Sequence, residues 1–213
     1  MPGGRRRGGA RARVRGNPAL FPAHPRPAAA RMSAGPPQRL VRIALVVYLP
    51  LLAGAFFVRA PGTLRVEAVL PFAWGLAAAV VLGAAVVALS RWLARHTAWG
   101  ARLHAEFLAV LGGLDSRQIL LLALLSAAGE EVIFRGVLQP RLGLWVATLL
   151  FGLLHVPVRR SLVPWTLFAL AIGLVLGLLT EWSGSLWPAI LLHFLVNYFN
   201  LHDLARPLPD ARP

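Results

Sequence analysis

The chain has 213 residues, of which 57% are hydrophobic, and its mean hydropathy is +0.65. This length suits a single domain, and the apolar content is typical of membrane proteins. The absence of cysteine excludes disulfides, thiolate nucleophiles and cysteine-ligated metals. The formal net charge is +14, but the arginines cluster before and between apolar segments, which favours a membrane protein over a nucleic-acid binder.

The amino-terminal residues 1–31 are rich in Arg, Gly, Pro and Ala and show no apolar period. We therefore expect a disordered tail there, or a misassigned start of translation if Met32 is the true first residue. A second disordered tail is expected at 206–213. The domain itself is then predicted to occupy residues 32–205.

Six apolar segments predict an all-α fold, a polytopic membrane bundle of about six transmembrane helices. Between the second and third segments, residues 91–115 mix Trp, Arg, His and Leu at helical spacing, which predicts an amphipathic helix lying in the membrane interface. No strand pattern and no internal repeat occurs. The six segments are residues 43–58, 69–90, 118–139, 143–158, 162–182 and 185–202.

Arginine placement predicts the orientation of these segments. If the amino terminus is cytoplasmic, the arginine-rich stretches all fall on the inner side of the membrane. The predicted outer loops then hold only Arg59, Arg65 and Arg141. Because inner loops are enriched in Arg, this distribution indicates six spans with both termini cytoplasmic.

Three polar clusters interrupt the apolar segments, and they lie on the third, fourth and sixth of them. Ionisable groups in a bilayer core cost roughly 2.5–3.5 kcal/mol each, so they are usually functional and paired with one another. Together they suggest acid–base chemistry on a substrate that enters from the lipid. The clusters are Glu130, Glu131 and Arg135, then Phe151 and His155, then His193 and Asn197.

The two adjacent glutamates lie about 100° apart on a helix, so they cannot face the same way. Glu131 and Arg135 are at positions i and i+4, with the acid first, which is the better orientation for an ion pair. This leaves Glu130 as the unpaired carboxylate, available as a general base. The alternative is that all three residues form one inert buried ion network.

The two histidines each share a helix face with another cluster residue, His155 with Phe151 and His193 with Asn197. His155 is a candidate catalyst, although a structural cap near a helix end is also conceivable. An imidazole and a carboxamide on one face can donate to a developing oxyanion, or they can hold the bundle together by interhelical hydrogen bonds. Counted along the helices, Glu130, His155 and His193 have similar depths, so we expect them to converge within hydrogen-bond or single-water reach.

At these residues the chain resembles the CAAX protease and bacteriocin-processing (CPBP, or Abi) family of intramembrane endopeptidases. The family hallmark is EExxxR, FxxxH and HxxxN or HxxxD on successive helices, and all three motifs are present in order over residues 118–202. Residues 1–117 carry no part of it. The motifs read Glu130-Glu131-x-x-x-Arg135, Phe151-x-x-x-His155 and His193-x-x-x-Asn197.

The resemblance implies a glutamate-dependent peptide hydrolase of a bacterial inner (cytoplasmic) membrane. Glu130 and His155 would activate a water, His193 and Asn197 would form the oxyanion hole, and Glu131, Arg135 and Phe151 would support them. The implied partners are the bilayer and a membrane-embedded or lipid-anchored substrate, namely a C-terminal sorting anchor or a bacteriocin-like or CAAX-type peptide. No nucleic acid is expected.

The family has also been called metal-dependent, which makes Glu130, His155 and His193 candidate zinc ligands. We expect no metal or other cofactor, because the Arg135 guanidinium disfavours a cation and Asn197 is a poor zinc ligand. Two other functions remain open. One is a proton-coupled transporter, since intramembrane Glu, Arg and His also build proton relays. The other is a non-catalytic membrane protein of the bacteriocin-immunity type.

Overall fold

The computed structural model describes residues 36–59, 61–65, 68–156 and 162–208. These residues form helices joined by short turns and contain no strand, so the predicted all-α fold class is confirmed. All of residues 1–31 and residues 209–213 of the 206–213 tail, both segments predicted to be disordered, lie outside these ranges. The proposed domain boundaries therefore stay predictions.

The helices follow the predicted segments closely and extend them at several ends. The long segment from Ser116 begins as an α-helix, becomes π-helical and ends as a short α-helix. The elements are α1 (Pro36–Val58), α2 (Val69–His96), α3 (Ala98–Leu111), α4 (Ser116–Glu131), the π segment (Val132–Leu138), α5 (Gln139–Leu142), α6 (Leu144–Leu154), α7 (Val163–Ser183) and α8 (Leu186–Leu204).

Fewer helices than the six predicted can cross a membrane by their length and composition alone. In the described ranges three qualify: Gln38–Val58, Val69–His96 and Val163–Ser183. A fourth is reached if α3 and the segment from α4 to α5, which meet at 106°, form one broken span. Helix α6 has only 11 residues, about 17 Å at 1.5 Å per residue, whereas a bilayer core is about 30 Å thick. Helix α8 is long enough, but it carries the polar cluster of His193 and Asn197.

The predicted interfacial segment divides into two parts. Its first residues extend α2 to His96, and Thr97 then caps α3, where its side chain accepts a hydrogen bond from the backbone N–H of Gly100. Helix α3 buries Gly100, His104 and Leu111. The His104 ring lies 2.8 Å from the carbonyl oxygen of Arg206, so α3 is joined to the residues that follow α8.

Helix α8 is central to the bundle because it packs against α2, α4 and α7. Its residues Ala189, Leu192 and Val196 are buried in one apolar cluster together with Leu176 of α7. Small residues on the facing helices, such as Ala79 of α2, allow close approach. The polar cluster of α8 therefore lies beside α4, the helix that carries the two glutamates.

Candidate active site

Three helices bring Glu130, His155 and His193 to one point. The Oε2 atom of Glu130 lies 3.9 Å from Nε2 of His155 and 3.9 Å from Nε2 of His193. Both distances are too long for a direct hydrogen bond and suit a single bridging water. The predicted convergence of these three side chains is confirmed.

His155 is oriented by its own helix. It follows the last residue of α6, and its Nδ1 lies 2.7 Å from the carbonyl oxygen of Phe151. A carbonyl oxygen only accepts, so Nδ1 carries the hydrogen and Nε2 of the neutral ring presents a lone pair to Glu130. The His155 residue therefore caps the end of α6, and its side chain also faces Glu130.

The backbone and the ring of His155 are also held by α7. The hydroxyl of Thr166 donates to the carbonyl oxygen of His155 at 2.7 Å. The Trp165 ring meets the imidazole edge to face, with 5.0 Å between the ring centroids. Three supports, from Phe151, Thr166 and Trp165, therefore fix the imidazole where α6 ends.

His193 is oriented by Glu131. Its Nδ1 lies 2.7 Å from Oε1 of Glu131, and both side chains are buried. The carboxylate accepts, so Nδ1 carries the hydrogen and Nε2 is directed to Glu130. The two neighbouring glutamates thus face the two nitrogens of one imidazole.

The predicted ion pair between Glu131 and Arg135 is present. Nη1 of Arg135 lies 3.2 Å from Oε1 of Glu131, and Nη2 donates to the carbonyl oxygen of Gly173 at 2.6 Å. The two side chains are 0% and 2% exposed, so each charge depends on the other for compensation. Glu130 is not part of this pair, which argues against one inert network of all three residues.

The ring of Phe151 lies between the buried cation and the imidazoles. The Arg135 guanidinium is 4.6 Å from its centroid, a distance typical of a cation–π contact. The centroids of His155 and His193 lie 4.6 Å and 6.0 Å from it. Phe151 therefore packs against Arg135 and both imidazoles.

Glu130 has a partner that the sequence did not indicate. The hydroxyl of Tyr48 on α1 donates to its Oε1 atom. The interpretation of Glu130 as an unpaired carboxylate is therefore wrong for Oε1, because it considered partners on the same helix only. It holds for Oε2, which is buried and has no hydrogen-bond partner among the described residues.

Asn197 contacts α4 one turn before Glu130. Its Nδ2 donates to the hydroxyl oxygen of Ser126 at 2.9 Å. This contact and the one between His193 and Glu131 are interhelical hydrogen bonds, as one of the two interpretations of this motif predicted. A carboxamide NH₂ has two N–H groups, so Asn197 keeps a second donor.

The backbone departs from an α-helix directly after the two glutamates. Residues Val132–Leu138 form a π-helical segment with Arg135 inside it. Such segments are rare in proteins overall, but those that occur are often at functional sites. In the motif EExxxR, the glutamates therefore end a regular helix and the arginine lies on a widened turn, which the spacing alone did not predict.

The three side chains are spaced too widely for a zinc ion. Two ligands of a tetrahedral zinc, each about 2.1 Å from the metal, lie about 3.4 Å apart. The oxygen-to-nitrogen distances of 3.9 Å are longer than this. In the described ranges no group of three His, Cys, Asp or Glu side chains has a metal-binding arrangement. The side chains as placed do not fit zinc, whereas a water about 2.8 Å from each atom fits.

Residues 114–199 match the family described as type II CAAX prenyl endopeptidase Rce1-like. The resemblance to the CAAX protease family is confirmed. This Rce1-like segment contains all seven residues of the three motifs, together with Ser126, Trp165 and Thr166, but not Tyr48.

A relative in Bacillus subtilis (strain 168), the uncharacterised protein YpbD, is 35% identical over 126 residues. These residues make up 58% of this chain and 64% of the relative, so the match spans less than two thirds of that protein. No solved structure matches the chain.

The sequence does not predict four residues that contact the site: Tyr48, Ser126, Trp165 and Thr166. Tyr48 lies in the first apolar segment, and its single hydroxyl is the signal that could have indicated it. Ser126 lies four residues before Glu130, at the spacing that was used for the other motifs. The two α7 residues follow the loop after His155, and their proximity to it could not be deduced without the fold.

Proposed function

We propose that the chain is an intramembrane endopeptidase that hydrolyses a peptide bond of a membrane-associated substrate. The observation that carries this proposal is the buried Oε2 atom of Glu130, which faces the lone-pair nitrogens of His155 and His193 at 3.9 Å. Among the residues that the structure describes, these three acceptors converge with no donor between them. A water can donate two hydrogen bonds to such a set, and this polarises its oxygen for attack.

In the first step the water oxygen attacks the peptide carbonyl carbon while Glu130 takes one proton through Oε2. His155 accepts the second hydrogen bond and orients the water. Glu130 then gives its proton to the leaving amine nitrogen as the C–N bond breaks. The products are a carboxylic acid and an amine, so one water is consumed and the carboxylate returns to its starting state.

The negative oxygen of the tetrahedral intermediate needs donors. The second N–H of Asn197 supplies one. His193 carries its hydrogen on Nδ1, which is bonded to Glu131, so its Nε2 faces the water as an acceptor and Asn197 is the proposed oxyanion donor.

Glu131 and Arg135 support this arrangement without touching the reacting atoms. Glu131 is bonded to His193 and Arg135 at once, and Arg135 is anchored to the backbone of α7 through Gly173. The ion pair therefore ties the direction of one catalytic imidazole to two helices. Such support by surrounding hydrogen bonds keeps catalytic groups in productive geometry.

The proposed substrate is a membrane-embedded or lipid-anchored polypeptide, either a C-terminal sorting anchor or a bacteriocin-like or CAAX-type peptide. The proposed location is a bacterial inner membrane with both termini cytoplasmic, which rests on the distribution of the arginines. The reaction uses no metal, in keeping with the 3.9 Å distances between the candidate ligands.

The test is hydrolysis in lipid vesicles with two probes, a farnesylated CAAX peptide and a fusion protein with one C-terminal transmembrane anchor. In water enriched in oxygen-18, mass spectrometry should find one heavy oxygen in the new carboxyl group of a cleaved probe. Glu130→Gln should abolish cleavage and still fold, because Gln keeps the shape but cannot take the proton.

The matched control is Glu181→Gln, the same change on α7, where the carboxylate accepts a hydrogen bond from Gln139. This variant should cleave like the unmodified protein. Cleavage by Glu130→Gln within a few-fold of that rate would refute the mechanism. If neither probe is cleaved but protons cross the membrane of the same vesicles, the transporter is favoured instead. Failure of both probes without flux would favour the non-catalytic membrane protein.

A further inference from the structure

We infer that Tyr48 is a positioning residue for Glu130, supplied by a helix outside the Rce1-like segment. This inference rests on the proposed function, because it assigns Tyr48 a part in the same reaction. Nothing in the three motifs requires a tyrosine. The assignment comes from the hydrogen bond between the Tyr48 hydroxyl and Oε1 of Glu130.

The approach of Tyr48 to α4 depends on the residue before the catalytic glutamate. Gly129 is buried, and a Cβ atom added there would lie 2.8 Å from Cδ1 of Tyr48. Any other residue at this position would push the ring away. Because Gly129 has no side chain, the ring passes over the helix and its hydroxyl reaches the next residue, Glu130.

The hydrogen bond decides which oxygen of Glu130 is free. The terminal torsion of a glutamate is soft and roughly two-fold, so an unanchored carboxylate rotates easily. With Oε1 bonded to Tyr48, Oε2 is left facing the two imidazoles without a partner of its own in the described part of the chain. Tyr48 therefore holds the base in the orientation that the bridging water requires, without touching the water's other two partners.

The remaining contacts of α1 are of a different kind. Next to Tyr48, Leu49 and Leu52 line an almost wholly apolar groove of about 450 Å³, together with Ala128 and Val132. Within the described ranges, Tyr48 is the side chain of α1 that forms a hydrogen bond with another helix. Helix α1 thus packs by apolar contact and contributes one polar group, the Tyr48 hydroxyl, which binds the proposed general base Glu130.

The first test is Tyr48→Phe, which removes the hydroxyl and keeps the ring. For either probe that is cleaved, kcat should fall by about 10- to 100-fold, the range expected when a reacting group loses its alignment. KM should stay within about two-fold, since the substrate contacts are unchanged. The matched control is Tyr198→Phe, because the chain has only two tyrosines and Tyr198 makes ring contacts with Phe194 and Phe199.

A second measurement separates positioning from packing and does not depend on the folding of Tyr48→Phe. In the Tyr198→Phe background, a fluorotyrosine supplied during growth is incorporated at position 48 only. Ring fluorination changes the acidity of the hydroxyl with little change of shape. We expect kcat to vary steadily with the number of fluorine atoms while the folded yield stays constant. A purely structural tyrosine would leave kcat unchanged.

The role of Tyr48 and the proposed function can fail separately, and the two failures give different results. If Glu130→Gln is inactive but Tyr48→Phe folds and keeps its kcat, the mechanism stands and the role of Tyr48 is refuted. A kcat that is insensitive to fluorination also refutes that role. If Glu130→Gln itself cleaves normally, the proposed function fails first.

Discussion

Glu131 and His193 form a buried hydrogen bond of 2.7 Å between α4 and α8. This bond places a hydrogen on Nδ1 and leaves Nε2 to face Glu130. A second carboxylate would ordinarily repel the first, but Arg135 compensates the charge of Glu131 at 3.2 Å. The two adjacent glutamates of the motif therefore make different contacts: Glu131 is bonded to Nδ1 of the imidazole, and Glu130 faces Nε2.

We predict that Glu131→Gln destabilises the protein by about 3–5 kcal/mol, the usual cost of removing one partner of a buried ion pair. Arg135 would remain charged and buried, and His193 would lose its carboxylate. Thermal unfolding in detergent measures the effect, with Glu181→Gln as the control. The double variant Glu131→Gln/Arg135→Gln should recover part of the loss. A single variant as stable as the unmodified protein would show that the pair contributes nothing.

We predict that Asn197→Ala lowers kcat about 100-fold or more, the effect of losing one oxyanion donor. Ser126→Ala should have a smaller effect, because it removes the partner of Asn197 and leaves the amide in place. Thr180→Val is a suitable control, since the Thr180 hydroxyl bonds to a carbonyl oxygen of its own helix, that of Leu176. Equal losses for Ser126→Ala and Asn197→Ala would mean that Asn197 acts only through its bond to Ser126.

We predict that Gly173→Ala destabilises the bundle by about 1–3 kcal/mol through overpacking. An added Cβ would lie 2.9 Å from Cδ1 of Phe151 and 3.4 Å from Nη2 of Arg135. Gly54 of α1 is the matched control, because nothing lies within 4 Å of a Cβ added there. Gly54→Ala should instead raise the unfolding free energy by about 0.5–1 kcal/mol, the difference in helix propensity. If the unfolding midpoints of Gly173→Ala and Gly54→Ala shifted in the same direction, this packing would be contradicted.

We predict that removing divalent metals does not change the rate of cleavage. The oxygen-to-nitrogen distances of 3.9 Å suit a water rather than a tetrahedral ion. Cleavage should be measured after dialysis against a chelator, and the metal content of the active protein should be determined by mass spectrometry. Loss of activity on chelation, restored by zinc alone, would overturn the metal-free mechanism.

The helical segments and the three motifs could be predicted because both depend on local spacing. Apolar runs broken by turns define helices, and residues four apart share a face. The pair of Glu131 and Arg135 follows from this rule directly. The number of spans could not be predicted in this way, because α6 is shorter than its apolar run suggested and α8 carries polar groups along its length.

The sequence by itself determined an all-α fold and the set of acidic, basic and amide groups that the fold buries. Only the tertiary structure decided how these groups meet. A histidine has two nitrogens and a glutamate two oxygens, and nothing in the spacing says which atom faces which. Packing of α1 and α8 against α4 makes that choice, through Tyr48 on Glu130 and Glu131 on His193. Such contacts join residues far apart in the chain, so they follow from helix packing and not from any local pattern.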